Sequence, residues 1–98
     1  MKKIKLLIAE DETVVRYALA QLLGAEEDID VVAEAGDGQA AVVKARQQKP
    51  DVVLMDLNMP KMDSIAAARQ IKLGFPICFV AAYNILCVLH QFLLLRMI

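Results

Sequence analysis

Four short apolar runs alternate with segments whose apolar residues recur at helical spacing, and that alternation is the first organising feature of the chain. Ile4 to Ala9 (IKLLIA) is mostly apolar and branched and ends in acids, the pattern of a strand buried on both faces. Next comes a stretch with Val15, Ala18, Leu19 and Leu22 at i, i+3, i+4 and i+7, with Thr13 as the expected cap and Gly24 as the expected left-handed stop. Asp30 to Ala35 predicts a second strand, Gly36-Asp37-Gly38 a turn, and Gln39 to Gln48 a second helix that Pro50 closes. Val52 to Asp56 (VVLMD) predicts a third buried strand, again ending on an acid, followed by a loop forced at Asn58-Met59-Pro60, because the residue before proline avoids helix. A third helix is expected from a cap at Asp63 or Ser64 to about Leu73. After Gly74 and Pro76, Ile77 to Ala81 (ICFVA) predicts a fourth strand.

Strands linked through helices make right-handed crossovers and therefore run parallel, so the fold class is α/β. The expected architecture is a doubly wound parallel sheet of about four strands in the order 2-1-3-4. With 98 residues, the chain has interior for one hydrophobic core and is expected to be a single domain.

Ligands of such sheets sit beyond the carboxyl ends of the strands, where the strand order reverses. Glu10, Asp11 and Glu12 leave the first strand there and Asp56 leaves the third. Like charges so placed repel and call for a cation. Hard oxygen ligands with room left for water suit Mg²⁺. Taken singly, an acid at a strand end is as readily a solvated loop residue as a ligand; the joint pattern makes the stronger claim.

Composition adjusts this picture. Basic and acidic side chains number 11 and 12, so no bulk positive field exists to hold a polyanion, and direct nucleic-acid binding by this chain is not expected. Of those charges only Arg96 lies beyond residue 72, and the apolar fraction of 58% is concentrated accordingly. The run from Phe75 to Leu95 carries no Asp, Glu, Lys or Arg and is long enough for a membrane span. Pro76, Asn84, His90 and Gln91 argue against one, as does the strand-like pattern at its front. Cys78 and Cys87 have neither metal-type spacing nor a second pair, and the N-terminus holds no signal-peptide core, so a reduced, cytoplasmic setting is expected. His90, the one histidine, is read as a packed or capping residue rather than a ligand.

The segments LLIAEDE, VVAEAGDGQAAV and PDVVLMDLNMPKMDS resemble the receiver domains of two-component response regulators, most closely those whose output is a helix-turn-helix DNA-binding domain. The resemblance covers residues 1–82 and implies a flavodoxin-like receiver fold. It also implies that Asp56 is the acceptor of a phosphoryl group from a sensor histidine kinase. Mg²⁺ would be held by Asp11 with Glu10 beside it, by Asp56, and by the backbone carbonyl of Asn58. On this resemblance the chain is a signalling receiver, a phosphoprotein in a transcription-regulating pathway, and not an enzyme.

The chain also departs from the family. Ser64 stands where glycine is usual, and Ala81 where a Thr or Ser hydroxyl would bond the phosphate and pull the loop inward. Residues 83–98 do not continue into the family's strand ending in lysine-proline, so its phosphate-facing lysine is not found; Lys61 and Lys72 are no evident substitutes. The expectation is a truncated or impaired receiver, the alternative being a pseudo-receiver that acts as a protein-interaction module without turning over phosphate. An aspartyl phosphatase is disfavoured because Asp56-Leu57-Asn58 carries an amide where the general acid belongs. Residues 85–98 hold apolar side chains all round any helix drawn through them, which, with an uncovered sheet edge, predicts homodimerisation or other self-association.

Overall fold

The computed structural model describes residues 3–56, 64–74 and 79–83. Within them the chain runs β1 (Ile4–Ala9), α1 (Thr13–Gly24), β2 (Ile29–Ala35), α2 (Gly38–Gln48), β3 (Val52–Asp56), α3 (Ser64–Gly74) and β4 (Phe79–Tyr83). The four strands form one sheet in the order β2-β1-β3-β4, with β1 parallel to both neighbours and β4 parallel to β3. The expected order and parallel pairing are those observed.

β1 is central, and from Leu6 onward its apolar run has nowhere to meet water. Leu7, Ile8 and Ala9 are fully enclosed. Their side chains alternate between two cores, since successive residues of a strand point to opposite faces. Leu6 and Ile8 pack with Leu19, Ala20 and Leu23 of α1 on one face; Leu7 and Ala9 pack with residues of α2 and α3, among them Ala45 and Ile71, on the other. Each large side chain buried this way contributes about 1.5 to 3 kcal/mol. The start of the strand is tied to the start of β3 by a reciprocal pair: the Lys5 N–H donates to Asp51 Oδ2 at 2.9 Å, and the Asp51 N–H donates to the Lys5 carbonyl at 2.8 Å.

β2 resolves its mixed pattern with a bulge. Leu6 pairs with Val31 but Leu7 pairs with Ala33, so Val32 is the extra residue. Ile29 and Val31 therefore join the α1 core, whereas Ala33 and Ala35 join the α2 core. Glu34 comes to the α1 side, where its carboxylate lies 3.9 Å from Arg16 Nε. Lys44 of α2 donates to the Glu34 backbone carbonyl, so both flanking helices grip the end of this edge strand.

Several details differ from the sequence expectation. Thr13 is the first residue of α1 and not its cap; Glu12 occupies the cap position and makes no side-chain cap bond. The buried stripe of α1 is Leu19, Ala20 and Leu23 with Val15 packed against it, while Ala18 and Leu22 are exposed. The helix is rotated toward the flank that carries Arg16, which is bonded to the Glu10 carbonyl and lies beside Glu34. Gly24 is no left-handed stop, since none of the described glycines has a positive φ. The left-handed cap falls instead at Lys49 (φ 49), which ends α2 and precedes Pro50, a position from which helical dihedrals are disfavoured. β4 runs two residues past the expected end at Ala81, because Ala82 and Tyr83 continue the pairing along β3 opposite Met55 and Asp56; Ile77 and Cys78, where the strand was expected to begin, lie outside the described residues.

α2 has a side-chain cap: Asp37 Oδ1 accepts the Ala40 N–H at 2.8 Å. Asp37→Ala leaves that donor without its partner, and we expect a loss of about 1 kcal/mol of unfolding free energy. Urea denaturation followed by circular dichroism checks it.

Candidate functional site

The carboxyl ends of β1 and β3 lie side by side because their register is fixed through Ala9 and Met55, so the next residues, Glu10 and Asp56, emerge at the same level. For the two aspartates burial eases there as well. Asp56 is the last residue of β3 and is partly exposed, and Asp11, in the bend after β1, is also partly exposed. Glu10 is 3% exposed, the one charged residue in the buried set among the described residues.

One carboxylate oxygen from each of Glu10, Asp11 and Asp56 can be chosen so that all three lie within 4.8 Å of one another. At that spacing and an effective dielectric near 20, each charged pair repels by about 3 to 4 kcal/mol, less where Asp11 and Asp56 reach solvent. The fold opposes this repulsion by fixing the backbone around the cluster. The Glu10 N–H donates to the Ala35 carbonyl at 2.9 Å, and Arg16 Nη1 donates to the Glu10 carbonyl at 2.7 Å. Glu10 Oε1 accepts the Glu12 N–H at 3.1 Å, which folds the loop over the buried carboxylate.

The donor chemistry suits a hard divalent cation. All three groups are carboxylates, and two of them keep a solvent-facing side for water. Octahedral Mg²⁺ at about 2.1 Å from each oxygen needs adjacent ligands about 3.0 Å apart and opposite ones about 4.2 Å apart. Both spacings fall inside the 4.8 Å envelope of the three carboxylates.

Of the residues singled out from the sequence, Glu10, Asp11 and Asp56 are brought together. Asn58, Met59, Pro60 and Lys61 lie outside the described residues, as does the segment from residue 84 onward. Glu12 belongs to the loop through its backbone and is exposed. Ala81 is paired with Leu54, and the partner of Asp56 in β4 is Tyr83. Nothing in the order of residues singles out Arg16. Four residues after Glu12 it reads as an ordinary pair on a solvated helix face, whereas its guanidinium reaches under the acidic loop. The one local hint is Gly36, where an added Cβ would come 3.1 Å from Arg16 Nη1.

Similar proteins carry the same arrangement of elements. The transcriptional regulatory protein PdtaR of Mycobacterium tuberculosis is 48% identical over 82 residues, an alignment covering 82% of this chain and 40% of that protein. Among solved structures, the response regulator domain of Thermotoga maritima CheB is 33% identical with a TM-score of 0.75, covering 83% of this chain and 61% of that one. A chain of the CheX–CheY–BeF3–Mg²⁺ complex from Borrelia burgdorferi is 28% identical with a TM-score of 0.75 over the same shares. The chain spans less than half the length of the curated relatives it matches. The response regulator receiver domain model matches residues 6–95, and on that match, with the sheet order and the acidic end of the sheet behind it, the chain belongs to the response regulator receiver family.

Proposed function

We propose that this chain is a cytoplasmic phosphoacceptor: a sensor histidine kinase passes a phosphoryl group to Asp56, with Mg²⁺ held by Glu10, Asp11, Asp56 and the Asn58 backbone carbonyl. The observation that carries the proposal is the meeting of Glu10, Asp11 and Asp56 carboxylates at one end of a receiver sheet. The similar Borrelia burgdorferi chain belongs to a complex with BeF3 and Mg²⁺, which supports the choice of ion and of a phosphate-like ligand.

In the transfer a carboxylate oxygen of Asp56 attacks phosphorus, the O–P bond forms as the P–N bond to the kinase imidazole breaks, and the imidazole leaves with the electron pair. The cation, when bound, neutralises charge on the phosphoryl oxygens. Glu10 is enclosed and bonded to the Glu12 N–H, so it serves as a fixed anchor. Partial exposure of Asp56 at the strand end leaves the nucleophile within reach of a partner's phosphohistidine. Among possible outputs, transcriptional control is favoured by the likeness to PdtaR.

Acetyl phosphate with Mg²⁺ should add one phosphoryl group, read as intact mass. The gain should vanish in Asp56→Asn and on chelation with EDTA. A chain that takes no phosphoryl group from acetyl phosphate or from a cognate kinase is the pseudo-receiver instead, acting through its surface alone.

Ala81 supplies no hydroxyl to a phosphate oxygen, so phosphorylation should alter the conformation weakly. A hydrogen bond to a charged oxygen is worth about 1.5 to 3 kcal/mol. Ala81→Thr should therefore shift the phosphorylated population toward the responding conformation about tenfold or more, visible in amide spectra recorded with and without phosphodonor.

We also propose self-association through the apolar residues 85–98 and the edge of β4 that, among the described residues, pairs with no other strand. Light scattering should then give a mass that rises with concentration; a constant monomer mass at micromolar concentration opposes it.

A further inference from the structure

We infer that Arg16 and Gly36 form a bracket that sets the position of the Glu10–Asp11 loop and thereby tunes the affinity of the acidic site for Mg²⁺. The inference rests on the proposal above that this site takes Mg²⁺, and it concerns residues that lie outside the ligand set.

The bracket is built from three contacts. Arg16 Nη1 donates to the Glu10 carbonyl at 2.7 Å, a charge-assisted bond to the residue whose carboxylate belongs to the cluster. Nε of the same guanidinium lies 3.9 Å from Glu34 Oε1, which turns its plane toward the end of β2. Gly36, two residues beyond Glu34, leaves the space that the guanidinium uses: a Cβ there would sit 3.1 Å from Nη1 and 3.9 Å from Cζ. Glu10 is thus held through both of its peptide groups, by the Ala35 carbonyl on its N–H and by Arg16 on its own carbonyl. Its side chain starts from a fixed point.

Backbone conformation does not demand glycine at residue 36, because no described glycine has a positive φ. The approach of the guanidinium does. An alanine at this position meets the far end of a flexible side chain, which can yield by a few tenths of an ångström, so the fold should survive while the bracket shifts. Arg16 is accordingly a positioning residue. It also brings a positive charge near the cation site, and that charge by itself weakens Mg²⁺ binding. Removing Arg16 therefore has two opposed effects, whereas Gly36→Ala changes position alone.

The test is a Mg²⁺ titration of the full chain followed by the amide signals of Asp11 and Asp56, with the melting temperature of the metal-free protein measured in parallel. Gly36→Ala should weaken Mg²⁺ affinity about tenfold, the usual scale for groups that orient a metal ligand, with little change in melting temperature. In the Arg16→Ala background, where nothing is left to displace, the same substitution should change affinity less than about twofold. An equal loss in both backgrounds, or no loss in the Arg16-containing chain, overturns the bracket. Should Arg16→Ala fail to fold, Gly36→Ala alone decides by the presence or absence of the loss. If the unsubstituted chain shows no Mg²⁺ response, the metal site itself is wrong and the bracket falls with it; a response that Gly36→Ala leaves unchanged removes the bracket only.

Discussion

The parallel pairing of β1 between β2 and β3 is the constraint on which the remaining features depend. Where a strand is hydrogen-bonded on both edges and covered on both faces it must be apolar, as from Leu6 to Ala9, of which Leu7, Ile8 and Ala9 are fully enclosed. Such a strand also fixes where polarity can resume. Because Ala9 is level with Met55, the first residue past the apolar run emerges beside the last residue of β3. Two carboxylates that are distant in sequence then share one small volume, and the repulsion between them becomes a property that binding chemistry can use. Burying Glu10 at that point is tolerable because its carboxylate and both of its peptide groups have hydrogen-bond partners.

Much of this was legible from residue order. Strands of a covered parallel sheet read as mostly apolar runs, and β1 and β3 fall where those runs stand in the sequence, although only the Val53 and Met55 face of β3 is fully buried. The acidic site was legible for the same reason, since Glu10, Asp11 and Asp56 adjoin strand ends and need no knowledge of helix packing to be placed. Helix orientation was less accessible. A stripe through Val15, Ala18, Leu19 and Leu22 and one through Val15, Leu19, Ala20 and Leu23 are both sound helical patterns, and the second is the one packed on Leu6 and Ile8 in the folded chain, with Arg16 on the same side bonded to the sheet end. The end of β4 lies two residues past the expected one because its pairing continues along a neighbouring strand to Asp56. Gly24, expected to be a left-handed stop, stays within regular helix, and the left-handed turn is taken by Lys49 at the end of α2, ahead of Pro50.

Arg16 and Gly36 illustrate a wider limit. Each looks ordinary in its own segment, a cation on a helix face and a small residue in a turn. Their relation exists only because α1 crosses the end of β2, bringing the guanidinium to a position that only a residue without a side chain leaves free. Membership of the receiver family accounts for the sheet order and the acidic end of the sheet. The close approach itself is a packing fact, visible in the folded chain.

The extra residue at Val32 has a consequence for the outer margin of the sheet. Among the described residues β2 has β1 on one side only, so its other edge offers main-chain donors and acceptors. Where a strand changes phase midway, those groups no longer form an evenly spaced row, and a foreign strand cannot zip along the full length. Lys44, gripping the Glu34 carbonyl from α2, adds a cation at the same place. This border of the molecule is thus a poor template for fibril-like growth, and the irregularity that lets one strand serve two cores also keeps that border from recruiting neighbours.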